Sequence, residues 1–308
     1  MLLSAAMLAA ACGSGGGSKS SSTTKAATAS LASKFVLGGP PECKTRQTCL
    51  LGLQNVYGLQ FKDFKSLDAG GPLTKTALAN GQIDVARLFS SDEAIQIKGF
   101  QLLNDDKHFQ LAGNIAPVVR TAKVTDEVRS LLNAASAALT QDDLVAINKA
   151  IDIDHADPGD QATAFITKKG LNKAPTSGAK ASFTIGSANF TESVALADIY
   201  GGVLKDAGYS VSYKTNLGAR EVTEPALEGG QLDLMPEYVG NYLNFFDPTV
   251  NGGLTLDQTV QKLTTVLGGK GLTLLTPSDA TDADAIAVTK ATADKYHLTN
   301  ISDLAKAA

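Results

Sequence analysis

FKSLDAGGPLTKTALANGQID (residues 64–84) and YKTNLGAREVTEPALEGGQLD (residues 213–233) align without a gap. They share Lys65/Lys214, Ala77/Ala226, Leu78/Leu227, Gly81/Gly230, Gln82/Gln231 and Asp84/Asp233. Each stretch reads as a strand, a helix that ends at glycine, and a second strand. Glycine is expected at a helix C-terminus, so part of the match is what any two such units would share. Two of them about half a chain apart are nevertheless what a molecule with two similar α/β lobes contains. In such a molecule small ligands bind between the lobes, beside the C-terminal ends of parallel strands.

Working outward, strand-like runs fall at 35–39, 64–69, 83–89, 100–103 and 116–121. TDEVRSLLNAASAAL, DDLVAINKAI and DQATAFITKK follow as three consecutive amphipathic helices. NKAPTSGAKA (172–181) reads as a linker of small residues, Pro and Gly. The alternation then restarts with FTIGS, TESVALADIYGGVLKDAG, SVSYKTN, REVTEPALEGG, LDLMPEY, NYLNFF, LDQTVQKLTTVL and LTLLT. Alternating strands and helices predict an α/β fold with largely parallel sheets.

The chain has 308 residues and 44% hydrophobic content, enough for two domains with real cores. Its 27 basic and 31 acidic residues leave no electrostatic footprint for nucleic acid. Beyond the first dozen residues no apolar stretch approaches the roughly 18–20 residues of a membrane span.

The opening MLLSAAMLAAAC (1–12), followed by GSGGGSKSSSTTKAATAS, has the pattern of a lipoprotein signal peptide and tether, with Cys12 as the lipidated N-terminus and 13–33 as the disordered spacer. That leaves Cys43 and Cys49 as a pair, six residues apart in a loop rich in turn formers, within reach of a disulfide in an oxidising compartment. Zinc is the competing reading, but no histidine or further cysteine lies nearby to complete four ligands.

FTIGSANFTES and NLGAREVTEPALEGGQLDLMPEYVGN resemble the opening half of quaternary-amine (glycine betaine/choline) binding proteins of osmoprotectant ABC importers. FVLGGPPEC, ALANGQIDVARLFSSDEAI and NIAPVVR resemble the closing half of the same proteins. The order is reversed: ISDLAKAA ends this chain, whereas in the family that segment runs directly into FVLGGPPE. The resemblance therefore implies an α/β, two-lobed type II periplasmic binding protein fold in circularly permuted order. Lobe II would comprise 34–92 and 283–308, and lobe I would comprise 95–280, including the linker. SSDEA and PSDATDAD would cross between them. A tandem pair that lost its outer halves would give the same sequence.

The family's function implies a monomeric, lipid-anchored extracytoplasmic protein that delivers a small cationic or zwitterionic ligand to an ABC permease and needs no cofactor. A quaternary ammonium donates no hydrogen bond and is held by aromatic faces and negative charge. A betaine carboxylate wants arginine or backbone N–H groups. Carried over by position, the resemblance assigns Tyr238 and Phe89 to the aromatic cage, Asn241 to ligand choice and Arg46 to the carboxylate. It also places Asp284 where members have tyrosine, and Gly113 before Asn114 where members have tyrosine. Ser187, Asn189 and Thr191, at a strand-to-helix turn, are expected to cap the helix and face the ligand.

IDIDHADPGD (151–160) gathers carboxylates around His155, but Asp157 suits an N-cap, Pro158 the first helical position, and the spacing fits no calcium loop. His108, His155 and His297 stand in no recognisable nucleophile setting, which argues against an enzyme. A lipoprotein sensor of the same fold is the alternative from another class.

Overall fold

The computed structural model describes residues 29–92, 94–174, 180–250 and 252–308. Cys12, the signal peptide, most of the tether and the middle of the linker (175–179) lie outside the described residues.

Ten strands form two five-stranded sheets. They are β1 Val36–Gly39, β2 Asp63–Ser66, β3 Val85–Phe89, β4 Phe100–Leu103, β5 Ile115–Arg120, β6 Ser182–Gly186, β7 Ser210–Lys214, β8 Leu234–Tyr238, β9 Leu272–Leu274 and β10 Asp284–Thr289. One sheet runs β2-β1-β3-β10-β4 and the other β7-β6-β8-β5-β9, the same order in each. Within each sheet the fourth strand is antiparallel: β10 pairs antiparallel with β3 and β4, and β5 with β8 and β9. The two-lobed α/β architecture expected from the sequence is present, but the sheets are mixed rather than largely parallel, with two parallel and two antiparallel pairings in each.

The repeat is structural as well as textual. Asp84 accepts from the Val36 amide at 2.8 Å, and Asp233 accepts from the Thr184 amide at 2.9 Å, so the paired aspartates fasten the matching strands β1 and β6. Gly81 and Gly230 take φ of +67° and +74°. That left-handed turn lets the Gln82 and Gln231 amides reach back to the Ala77 and Ala226 carbonyls, both at 2.8 Å, and only glycine adopts it without strain.

The lobe I core is built around the helix Thr191–Asp206, buried on nearly every face because Pro158–Lys168 and Asp126–Ala138 pack beside it and β6 and β8 lie beneath. Phe183, Ile185, Leu196 and Tyr200 are almost fully buried there. In lobe II, Leu37, Leu53, Leu59 and Val288 fill the corresponding space. Asp157 caps the Pro158 helix by accepting from the Asp160 amide at 3.1 Å, while Asp152 pairs with Lys75 and Asp154 with Lys149. No cluster of metal-ligating residues occurs among the described residues.

The lobe boundary differs from the sequence reading. SSDEA does not cross: it leads into Ala94–Ile97 and then β4, which hydrogen-bonds to β10 in the lobe II sheet. Phe109 still belongs to the lobe II core while Leu111 belongs to lobe I, so the chain crosses near Gln110. β10 is far from β4 in sequence, so no local pattern announces that pairing. The chain returns between Ala280, in the lobe I core, and β10 of the lobe II sheet. The two crossings touch: the Asp282 amide donates to the Gly113 carbonyl at 2.9 Å, and Asn114 bridges to Thr281. A Cβ on residue 113 would stand 2.4 Å from the Asp282 carbonyl oxygen, so this crossing leaves no room for a side chain there. Gly113→Ala is expected to cost about 1–3 kcal/mol of stability through overpacking, read as a lower urea midpoint. An unchanged midpoint would mean that the crossings are not in tight contact.

The end of the chain lies against the start of the described residues. Ala308 donates to the Ala29 carbonyl at 2.8 Å, Leu31 donates to Lys306 at 2.9 Å, and Phe35 packs edge-on against Tyr296.

Candidate functional site

A cavity of about 80 Å³ lies between the lobes. Its walls come from the C-terminal ends of β3 and β8, the start of the helix Thr191–Asp206, and the Pro40–Cys49 loop. An aromatic run crosses it. Phe89 of lobe II lies 5.0 Å, ring to ring, from Phe190 of lobe I, and Phe190 lies 6.0 Å from Tyr238. The ring planes of the two pairs are tilted by 30° and 36°.

Charged groups line the same cavity. Arg220 grips Glu237 through Nε and Nη2 at 2.6–3.1 Å, which leaves little of that carboxylate for a ligand. Burial tends to lower the Arg220 pKa, but the Glu237 charge and its hydrogen bonds more than reverse that. Arg46 bonds Glu221 across the cleft at 2.8 Å and lies over the Phe245 ring at 4.9 Å. Arg87 is ion-paired to Asp284, and its guanidinium sits 4.0 Å over the Phe89 ring. Burial pushes its pKa down to about 10, so it stays charged at neutral pH. Glu42 also lines the cavity, and its charge favours the protonated forms of Arg46 and Arg87.

Polar bridges join the lobes. Besides Arg46 and Glu221, buried Lys75 pairs with Asp152 at 3.3 Å and with Asp92 at 2.6 Å. Ser91 Oγ donates to Glu192 at 2.9 Å and accepts from Asn148 at 3.1 Å. Glu192 also accepts from Tyr238 Oη at 2.5 Å, so one carboxylate ties the aromatic wall to the lobe contact.

Six residues read from the sequence do come together at this cavity: Arg46, Phe89, Asn189, Tyr238, Asn241 and Asp284. Three do not line it. Ser187 Oγ accepts from the Asn216 amide and donates to the Ala188 carbonyl. Thr191 Oγ1 donates to Asp152 at 2.7 Å. Asn114 Nδ2 donates to the Ser278 carbonyl at 2.9 Å. None of the turn's hydroxyls caps the helix either: its N-cap is Phe190, and the Ser193 hydroxyl accepts the Ala188 amide instead. Asp284 is not a free carboxylate facing a ligand, because Arg87 neutralises it. The residues missed were Arg87, Arg220, Glu237 and Phe190. A charged residue inside the apolar run IDVARLF was the available signal for Arg87.

Cys43 and Cys49 form a disulfide with Cα atoms 5.2 Å apart, and both line the cavity. The bond closes the loop that carries Arg46. Replacing both cysteines by serine is expected to cost about 2 kcal/mol, the chain-entropy value for so short a loop. Mass spectrometry of exported protein without reductant should find no free thiol at either position; two free thiols would refute the pairing.

A family model described as the substrate binding domain of an ABC-type glycine betaine transport system matches residues 22–168 and 181–308. The glycine betaine-binding protein YehZ of Escherichia coli is 33% identical over 124 residues, 40% of this chain and 41% of that protein. A glycine-betaine-binding protein of Pseudomonas aeruginosa is 29% identical over 145 residues, 47% of this chain and 44% of that protein. The matched stretches thus span less than half the length of these curated relatives. Among solved structures, an ancestral arginine-binding protein bound to arginine is similar at a TM-score of 0.44, with 14% identity over 89% of this chain and 92% of that one. With its two matched segments covering most of its length, the chain belongs to the family of substrate-binding domains of ABC-type glycine betaine transport systems.

Proposed function

We propose that the protein captures a quaternary-amine osmoprotectant such as glycine betaine between its lobes and delivers it to an ABC permease. The observation that carries this reading is the aromatic run of Phe89, Phe190 and Tyr238, contributed by both lobes to one cavity. Ring faces attract a cation that cannot hydrogen-bond, and a desolvated contact of this kind contributes on the order of 2 kcal/mol. Glu42 adds negative charge on the same wall. The names of the relatives agree with the ligand class. The site's charged groups are engaged in positioning pairs rather than in a nucleophile and base arrangement, which supports binding over catalysis.

The reading extends to an exported, monomeric protein held at the membrane by a lipid on Cys12, and to a circularly permuted chain. Two observations support the permutation: the family matches in two separate segments, and residues 306–308 lie against residues 29–31. In the unpermuted order a short loop would join those ends.

Calorimetric titration with glycine betaine and choline tests the function. Saturable binding is expected, with a melting temperature that rises with ligand concentration. Tyr238→Ala should weaken binding roughly tenfold. Absence of heat and of any melting shift with every quaternary amine at millimolar concentration would sink the reading.

A further inference from the structure

Arg87 stands in the middle of β3, among Val85, Ala86 and Leu88, and only 8% of it is exposed. A charge placed there must be paired, and Asp284 on neighbouring β10 provides the pairing through Nη2. Stacking over Phe89 at 4.0 Å fixes the plane of the guanidinium. Nη1 is then buried with no hydrogen-bond partner among the described residues. Natural proteins seldom leave a buried donor unmet, and each such group calls for an explanation. Arg87 lines the cavity between the lobes. The other two arginines there are differently engaged, Arg220 in a fork with Glu237 and Arg46 in the bridge to Glu221.

We infer that Arg87 is the anion anchor of the cleft: its Nη1 takes the carboxylate of a ligand whose cationic end lies against the aromatic run, while Asp284 holds the guanidinium in place. Only the cationic half of this statement rests on the proposed function. An arginine already fixed by one carboxylate loses little freedom when it accepts a second, and planar guanidinium suits carboxylate geometry. The position assigns the choice between zwitterionic and purely cationic amines to a pair of residues, Arg87 and Asp284.

The test compares glycine betaine with choline, which share the trimethylammonium head and differ in carboxylate against hydroxymethyl. Titrations are run on the full chain and on Arg87→Met/Asp284→Leu, which removes both charges together and leaves none buried alone. The native protein should prefer glycine betaine by roughly tenfold or more, and in the double variant that ratio should fall toward one. If the double variant does not fold, Arg87→Lys serves instead: it keeps the pairing charge but lacks the second planar donor, and the ratio should again shrink. A native protein without preference, or a folded variant that keeps it, overturns the inference while leaving the proposed function standing. If no quaternary amine binds, γ-aminobutyrate and its decarboxylated counterpart propylamine are compared by thermal shift. A response to the carboxylated member alone, lost in the variant, rejects the proposed function and upholds the anchor. No response to either series rejects both.

Discussion

Asp284→Ala is expected to lower the unfolding free energy by about 3 kcal/mol, whereas Arg87→Met/Asp284→Leu should lie within about 1 kcal/mol of the native protein. Both side chains are nearly inaccessible, 10% and 5% exposed. Removing the carboxylate alone strands a guanidinium in a site that already pushes its pKa down through burial. Breaking a buried pair from one side costs about 3–5 kcal/mol. The low end applies here because the Glu42 charge still favours the protonated guanidinium. Replacing the pair with apolar groups of similar size removes both desolvation costs along with the attraction. Urea unfolding of the native protein, each single variant and the double variant closes the cycle. A coupling energy near zero would show that the two charges are solvated independently, and the positioning role given to Asp284 would fall with it.

The fold was legible because its elements carry local signals. Strand-like runs gave β1 to β9, and the amphipathic stretches gave the helices around Thr191–Asp206. The duplicated unit went further than secondary structure: the matched Asp84 and Asp233 perform one task in two sheets. The lobe boundary was not legible, because β4 is assigned to its sheet by β10, which arrives only after the chain has built lobe I. Antiparallel closure by a remote strand leaves no trace in the sequence around residue 95.

The site was half legible for a similar reason. Tyr238, Phe89 and Arg46 could be placed from their motifs. Phe190 was hidden in a turn whose polar residues drew attention, yet it is the ring that joins Phe89 to Tyr238. Ser187, Thr191 and Asn114 carry the side chains expected of ligand contacts, but turns and crossings also need hydrogen bonds, and here those needs take them. The pairing of Asp284 with Arg87 was not legible because the two lie 197 residues apart.

The unfolding free energy is expected to fall as pH rises above about 4, and Asp282→Asn should remove much of that fall. Asp282 and Glu192 are buried carboxyl groups at the lobe junction, joined through Ser91, whose amide donates to Asp282 at 3.0 Å and whose hydroxyl donates to Glu192 at 2.9 Å. Burial first and the Glu192 charge second raise the Asp282 pKa well above the carboxylate range, and the nearby Arg87 offsets this only in part. Burial raises Glu192 as well, against the opposing hydrogen bonds from Tyr238, Asn148 and Ser91 and with added repulsion from Asp152. The folded protein therefore holds a proton that the unfolded chain, with carboxyl pKa values of about 4, has released. Where the folded state binds the extra proton, stability declines with pH by at most about 1.4 kcal/mol per unit for each proton. The stabilising contribution is complete below about pH 4 and lost as pH rises through the folded pKa. Asp198, raised to about 6 by burial and Asp157, acts in the same direction but is exhausted above that pH. Asp143, lowered to about 2 with Lys169 and Thr140 overcoming its burial, acts only in the acid limb. Chemical unfolding of the native protein and Asp282→Asn at intervals from pH 4 to 8 separates these windows. A native stability that is flat or rising from about pH 4 upward would show that neither carboxyl group holds its proton in the folded state. The junction would then carry two negative charges across the cleft, and the contact between lobes through Ser91 would have to be far looser than its hydrogen bonds indicate.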